Sequence, residues 1–123
     1  MKNILVKIIN LPTVFQIKIY PYINRMILKS KGVLLGRNVQ IPGKLYVTIR
    51  GGKVSIGDNF YFSSGEAVNP ISSNLRGAIY VENGAILKIG NNVGMSGTRL
   101  WVHDGVTVGN NVKIGGSVLI IDT

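Results

Sequence analysis

Cysteine is absent from the 123 residues, and histidine occurs once, at His103. The first absence excludes a disulfide framework and a thiolate zinc site. The second excludes a three-histidine metal centre within one chain. Acids are scarce and come late. Residues 1–57 contain ten of the fourteen Lys and Arg and no acid, whereas Asp58, Glu66, Glu82, Asp104 and Asp122 all follow. The net charge of +9 therefore belongs to the N-terminal part and not to the whole surface. No apolar run reaches the ~18–20 residues needed to span a bilayer. The opening "MKNILVKIINL" has Lys7 inside its apolar run and no small-residue cleavage pattern after it, so it reads as retained.

What is present suits one domain with one core. Apolar residues make up 46% of the chain, too many for disorder. The sixteen glycines do not recur at every third position, which excludes collagen and points to many turns or close backbone approaches. The lack of cysteine fits a cytoplasmic protein.

Residues 1–32 stand apart from the rest. They hold one glycine, Gly32, and six basic residues, Lys2, Lys7, Lys18, Arg25, Lys29 and Lys31. Leu5, Ile8 and Ile9, then Tyr22, Met26 and Ile27, fall at helical spacing, with Pro12 and Pro21 expected to break the stretch into short pieces. Such a basic amphipathic segment either packs over the end of the domain with solvated lysines or lies on an anionic membrane surface. The second reading would put the protein at the inner face of the membrane. Nucleic acid is not expected as a partner, because no basic–aromatic interleaving or known motif is present.

From residue 33 the pattern changes. "GRNVQIPG" (36–43), "GDNFYFSSG" (57–65), "GNNVGMSG" (90–97) and "GNNVKIGG" (109–116) repeat one theme. Large apolar residues recur every six positions, as Leu35/Ile41/Val47, Ile56/Phe62/Val68, Ile89/Met95/Trp101 and Val108/Ile114/Ile120. A helix would show a period of 3.6 and a half-buried strand a period of 2; six is the signature of a parallel β-helix. Each hexapeptide gives one short strand and one corner, and three make a triangular coil. The aliphatic residue points inward, and small residues or left-handed asparagines sit at the corners. The corner glycines are unevenly spaced. Gly90 to Gly109 is 19 residues and Gly36 to Gly57 is 21, but Gly57 to Gly90 is 33, which is one coil plus an insertion or two distorted coils. An excursion is expected at 69–86, where Pro70, Ser72, Ser73 and Asn74 cluster. Val81 and Leu87 suggest that part of it returns as a strand, or else "VENGAI" makes a tight hairpin through Asn83-Gly84. Eighteen residues from Val108 would run two past Thr123, so the last coil is expected to be incomplete.

The stretches "KGVLLGRNVQIPG" (31–43) and "IGNNVGMSGTRLWVHDGVTVGNNVKIGGSVLIIDT" (89–123) resemble the hexapeptide-repeat acyltransferases, in particular the sugar O-acetyltransferases of bacterial surface-polysaccharide clusters. The resemblance covers roughly 33–123. It implies a mainly β fold, a left-handed parallel β-helix with a short N-terminal helical segment. It also implies a homotrimer that binds acetyl-CoA, without metal, in the groove between neighbouring β-helices. The acceptor would be a sugar or lipid-linked sugar hydroxyl, deprotonated by a histidine. In that family this histidine follows shortly after the "DT" matched by Asp122-Thr123, which puts its position past 123. A histidine at the place of His103 lines the same groove.

The residues themselves leave alternatives open. A neutral imidazole near pH 7 can accept a hydroxyl proton, so His103 is either an active-site group or a plain surface corner. Asp104 is its neighbour but points to the opposite face of a strand. Asp122, 19 residues later, would stack beside His103 and orient it or stabilise its charge. Trp101 falls on the six-residue register, which suggests core or trimer-interface packing; a sugar-stacking platform is the alternative. Asn74 and Arg76 lie in the expected excursion, where Arg76 could meet an anionic substrate or a CoA phosphate. Asn92, Asn111, Ser96 and Ser117 read as corner residues. No nucleophile elbow, P-loop or dinucleotide fingerprint occurs. The competing functions are thus an acetyl-CoA-dependent sugar O-acetyltransferase and a non-catalytic structural or binding β-helix. A zinc enzyme on the same fold is opposed by the single histidine.

Overall fold

The computed structural model describes residues 13–63 and 76–122. Among the described residues it is mainly β, with one helix and three wholly parallel sheets. Helix α1 (Thr13–Ser30) is followed by β1 (Leu34–Leu35), β2 (Leu45–Ile49), β3 (Lys53–Ile56), β4 (Tyr61–Ser63), β5 (Gly77–Val81) and β6 (Ile86–Ile89). Then come β7 (Gly94–Ser96), β8 (Arg99–Val102), β9 (Gly105–Val108), β10 (Lys113–Gly116) and β11 (Leu119–Asp122). One sheet has the order β1-β3-β6-β9, the second β4-β7-β10, and the third β2-β5-β8-β11. The chain therefore visits the three sheets in the same cyclic order, circuit after circuit. In the first circuit Gln40 bridges Tyr61 and stands in for the second sheet's strand. Parallel strands in that order fit a β-helix.

The inward residues explain the strands. Ile56, Phe62, Leu87, Ile89, Val93, Met95, Leu100 and Val102 are all buried in one continuous core. Burying each such side chain contributes roughly 1.5–3 kcal/mol. The six-residue count fails in one place. Ile89 and Met95 point inward as expected, but Trp101 is 42% exposed, and Leu100 and Val102 fill the core instead. Leu100 stacks with Ile79 and Ile120 and follows Met95 by five positions, so this segment is one residue shorter than a hexapeptide, with Gly97 at φ 54° in its corner. A one-residue slip moves a side chain to the other face of a strand, and that takes Trp101 out of the core.

The "G-x-N" theme is a corner device. Asn38, Asn59, Asn92 and Asn111 all take the left-handed conformation, with φ between 56° and 60°. Their side-chain amides hydrogen-bond in a column: Asn38 Nδ2 donates to Asn59 Oδ1 (3.1 Å), Asn59 to Asn92 (2.9 Å) and Asn92 to Asn111 (3.1 Å). The residue before each asparagine serves a second column. Asp58, Asn91 and Asn110 each accept, through Oδ1, the backbone N–H of the equivalent residue one circuit earlier (2.7–2.8 Å). Arg37 holds that position in the first circuit, where no earlier N–H needs an acceptor.

Three expectations change. Residues 77–81 and 86–89 are strands of the sheets, so the expected excursion does not extend over them; Asn74 and the rest of 69–75 lie outside the described residues. β3 pairs directly with β6, Lys53 against Ile86, so Gly57 to Gly90 is one circuit with an insertion. Asn83-Gly84 makes a corner between two sheets and not a hairpin, with Ala85 N donating to Glu82 O (3.0 Å). The last circuit supplies a strand to every sheet, since β9, β10 and β11 each find a partner and Asp122 pairs with Val102.

Pro21 does not break α1, which runs through it. Tyr20, Asn24 and Leu28, four apart, are buried against the sheets, and that packing holds the helix across the proline. Buried Asn24 gives its two amide protons to Ile41 O (2.6 Å) and Gly43 O (2.8 Å). The helix ends in a Schellman motif: Gly32 takes φ 81°, its N–H reaches Lys29 O, and Val33 N–H reaches Leu28 O. Among the described residues no helix is long and apolar enough to cross a membrane.

Candidate functional site

The outward face of the third sheet concentrates the chemistry of the chain. Parallel register sets Tyr80 beside Trp101, and Trp101 beside Ile121. One corner further on, Arg50, Glu82 and His103 form a neighbouring column, since Arg50 N bonds Val81 O and Glu82 N bonds Val102 O. Trp101 sits at the centre. Its ring centroid lies 4.9 Å from that of His103 and 6.3 Å from that of Tyr80. Its indole N–H donates to Glu82 Oε1 (3.1 Å), and Arg50 reaches the other Glu82 oxygen at 3.9 Å. Thr48, Arg50, Tyr80, Val81, Glu82 and Trp101 line a shallow groove of about 290 Å³.

His103 and Asp122 meet, though not by carboxylate against imidazole. The Asp122 carboxylate accepts three backbone N–H groups at the corner, from His103 (2.6 Å), Asp104 (2.9 Å) and Gly105 (2.6 Å). The backbone carbonyl of Asp122 faces His103 Nδ1 at 2.8 Å. A carbonyl oxygen only accepts, so this contact places the proton on Nδ1 and leaves the lone pair of the neutral ring on Nε2. Asp122 thus fixes both the backbone under His103 and the tautomer of its ring. Asp104 contributes its N–H to this arrangement, while its own residue is exposed.

The three N–H donors, His103's foremost, hold the Asp122 carboxyl below its ordinary value, against the opposing effect of desolvation. With a depressed folded-state pKa, the contribution of Asp122 is fully present above the unfolded aspartate value. It is lost as pH falls through the lower, folded value. In an acid titration followed by amide NMR, the His103, Asp104 and Gly105 resonances should move together with a midpoint below about 3.9. Independent midpoints, or a shared one at or above that value, would contradict the three-donor corner.

Arg76 does not join this site. Its guanidinium lies 3.5 Å over the Tyr46 ring, at the other end of β5 from Glu82. Tyr20 of α1 feels the same cation: burial raises its pKa and Arg76 opposes the shift. Arg50 and Glu82, conversely, belong to the site although no motif announces them. The signal is a second repeat, Ile49-Arg50-Gly51, Val81-Glu82-Asn83 and Val102-His103-Asp104, which puts one polar side chain at the same corner of each circuit. Among the described residues no three of His, Cys, Asp or Glu gather as a metal site would need.

Fold and site together define a mainly β protein of parallel sheets, with an aromatic groove on one outer face and His103 against its Trp101. A scan against protein-family models and searches of curated proteins and of solved structures found no match.

Proposed function

We propose that the chain is a left-handed parallel β-helix that transfers an acetyl group from acetyl-CoA to a sugar hydroxyl, with His103 as the proton acceptor. The observation that carries this reading is the Nδ1 contact to the Asp122 carbonyl, which turns Nε2 of the only imidazole in the chain into a base. In the proposed step, the acceptor O–H gives its proton to Nε2 while its oxygen attacks the thioester carbonyl carbon. The C–S bond breaks, and the departing thiolate of CoA takes the proton back from the imidazolium. Trp101 and Tyr80 offer apolar ring faces to the C–H groups of a sugar, and Glu82 and Arg50 offer partners to its hydroxyls.

A groove of about 290 Å³ lies at the small end of the ~300–1,000 Å³ usual for small-molecule sites. It suits one sugar ring and not the whole of acetyl-CoA, which needs further surface. A second copy of the chain is the proposed source of that surface. Trp101, Leu119 and Ile121 are large, apolar and exposed on the same sheet face, as a homotrimer contact requires. The same exposed face also favours the second reading, a non-catalytic binding β-helix that uses it only for assembly. Titration calorimetry with acetyl-CoA separates the two. Saturable heat, with a protein-to-ligand stoichiometry near one, is the expected result. No heat at millimolar ligand would overturn the transferase reading and leave the binding one.

A further inference from the structure

We infer that the outer face of α1 is a docking surface for an anionic phospholipid bilayer. The buried face of the helix is settled by Tyr20, Asn24 and Leu28. Roughly opposite to it, at helical spacing, stand Lys18, Tyr22, Arg25, Met26 and Lys29. Tyr22 is 70% exposed and Met26 61%, the two most exposed large apolar side chains among the described residues of the helix. Lys18 and Lys29 are exposed beside them and Arg25 is half-buried.

Two apolar side chains ringed by three cations, with no acid anywhere in residues 1–57, are an unusual surface for water alone. The combination fits the bilayer interface, where the Tyr ring and the Met thioether enter the headgroup layer and the cations stay among phosphates. Lys18, Tyr22 and Arg25 also line a groove of about 440 Å³ that runs between α1 and Val39–Gln40, a recess into which a headgroup phosphate can enter between two cations. Charge complementarity selects the occupant. A neutral or apolar partner would leave the cations unpaired, and a purely anionic polymer would leave Tyr22 and Met26 in water.

The helix is held to the sheets by the Asn24 bonds and its capped end, so docking it would hold the sheets at a fixed attitude to the lipid. The inference is independent of acetyl transfer and is read without it. The experiment is flotation of the full chain with vesicles of phosphatidylcholine alone and of phosphatidylcholine with phosphatidylglycerol, at low and physiological salt. Binding is expected to the anionic vesicles only, and to weaken with salt. The triple variant Lys18→Glu, Arg25→Glu, Lys29→Glu should lose roughly tenfold or more in partition. Tyr22→Ser with Met26→Ser should also weaken binding, while leaving its salt dependence in place. Circular dichroism confirms that each variant is folded; if the triple variant is not, the Tyr22/Met26 variant alone decides. Equal binding to neutral vesicles would overturn the inference. So would vesicle binding unchanged by these substitutions, or a preference for duplex DNA that ignores Tyr22 and Met26.

Discussion

Gly57→Ala should cost roughly 3 kcal/mol of stability or more, whereas Gly109→Ala should stay within about 1 kcal/mol of wild type. Both glycines open the same "G-x-N" corner, one circuit or more apart, so propensity predicts equal effects. Stacking predicts otherwise. A Cβ on Gly57 would lie 2.6 Å from the carbonyl oxygen of Gly90 and 2.7 Å from its carbonyl carbon. One on Gly90 would lie 2.9 Å from both the carbonyl carbon and the carbonyl oxygen of Gly109. These neighbours are backbone, tied into sheets and asparagine columns, and cannot rotate away. At Gly109 a Cβ meets nothing within 4 Å. The φ of Gly57 is not in the left-handed region, so the effect is close approach and not dihedral strain. Urea unfolding of the two variants checks it. Similar midpoints for both would mean that the corners do not stack as described.

His103→Gln should lower kcat/KM for acetyl transfer by about 10²–10⁴-fold, the usual contribution of a positioned general base. Gln keeps a polar side chain of similar reach but offers no basic nitrogen. The His103 residue is exposed, so stability should change little. The loss should fall on kcat, because the proposed function assigns sugar binding to Trp101, Tyr80 and Glu82 and not to the imidazole. A variant with wild-type kcat and a raised KM would reassign His103 to binding.

The fold was legible where local geometry repeats. Ile56, Phe62, Ile89 and Met95 recur every six residues because each corner takes the same number of residues, and Asn59, Asn92 and Asn111 recur because each corner needs a left-handed amide. Legibility failed where a corner changed length. The residue missing between Met95 and Leu100, relative to Ile114 and Ile120, put Trp101 on the wrong face of the count, and with it the whole aromatic groove. Arg50 and Glu82 were hidden for a related reason. They join His103 only through stacking, Arg50 to Glu82 over 32 residues and Glu82 to His103 over 21, which no fixed period finds. The persistence of α1 through Pro21 depends on buried Tyr20, Asn24 and Leu28, a tertiary effect invisible to helix propensity. The joint between His103 and Asp122 was expected as side chain to side chain; the strand register that brings the Asp122 carbonyl to Nδ1 depends on a bulge in β10 between Ile114 and Gly116.

Acetyl transfer to a sugar in the groove beside His103 is the proposed activity. Mass spectrometry of a monosaccharide panel incubated with acetyl-CoA and the full chain tests it most directly. A mono-acetylated sugar is expected from the wild-type protein, with CoA released in equal amount, and its near disappearance with His103→Gln. Turnover that is the same for wild type, His103→Gln and protein-free controls would contradict it.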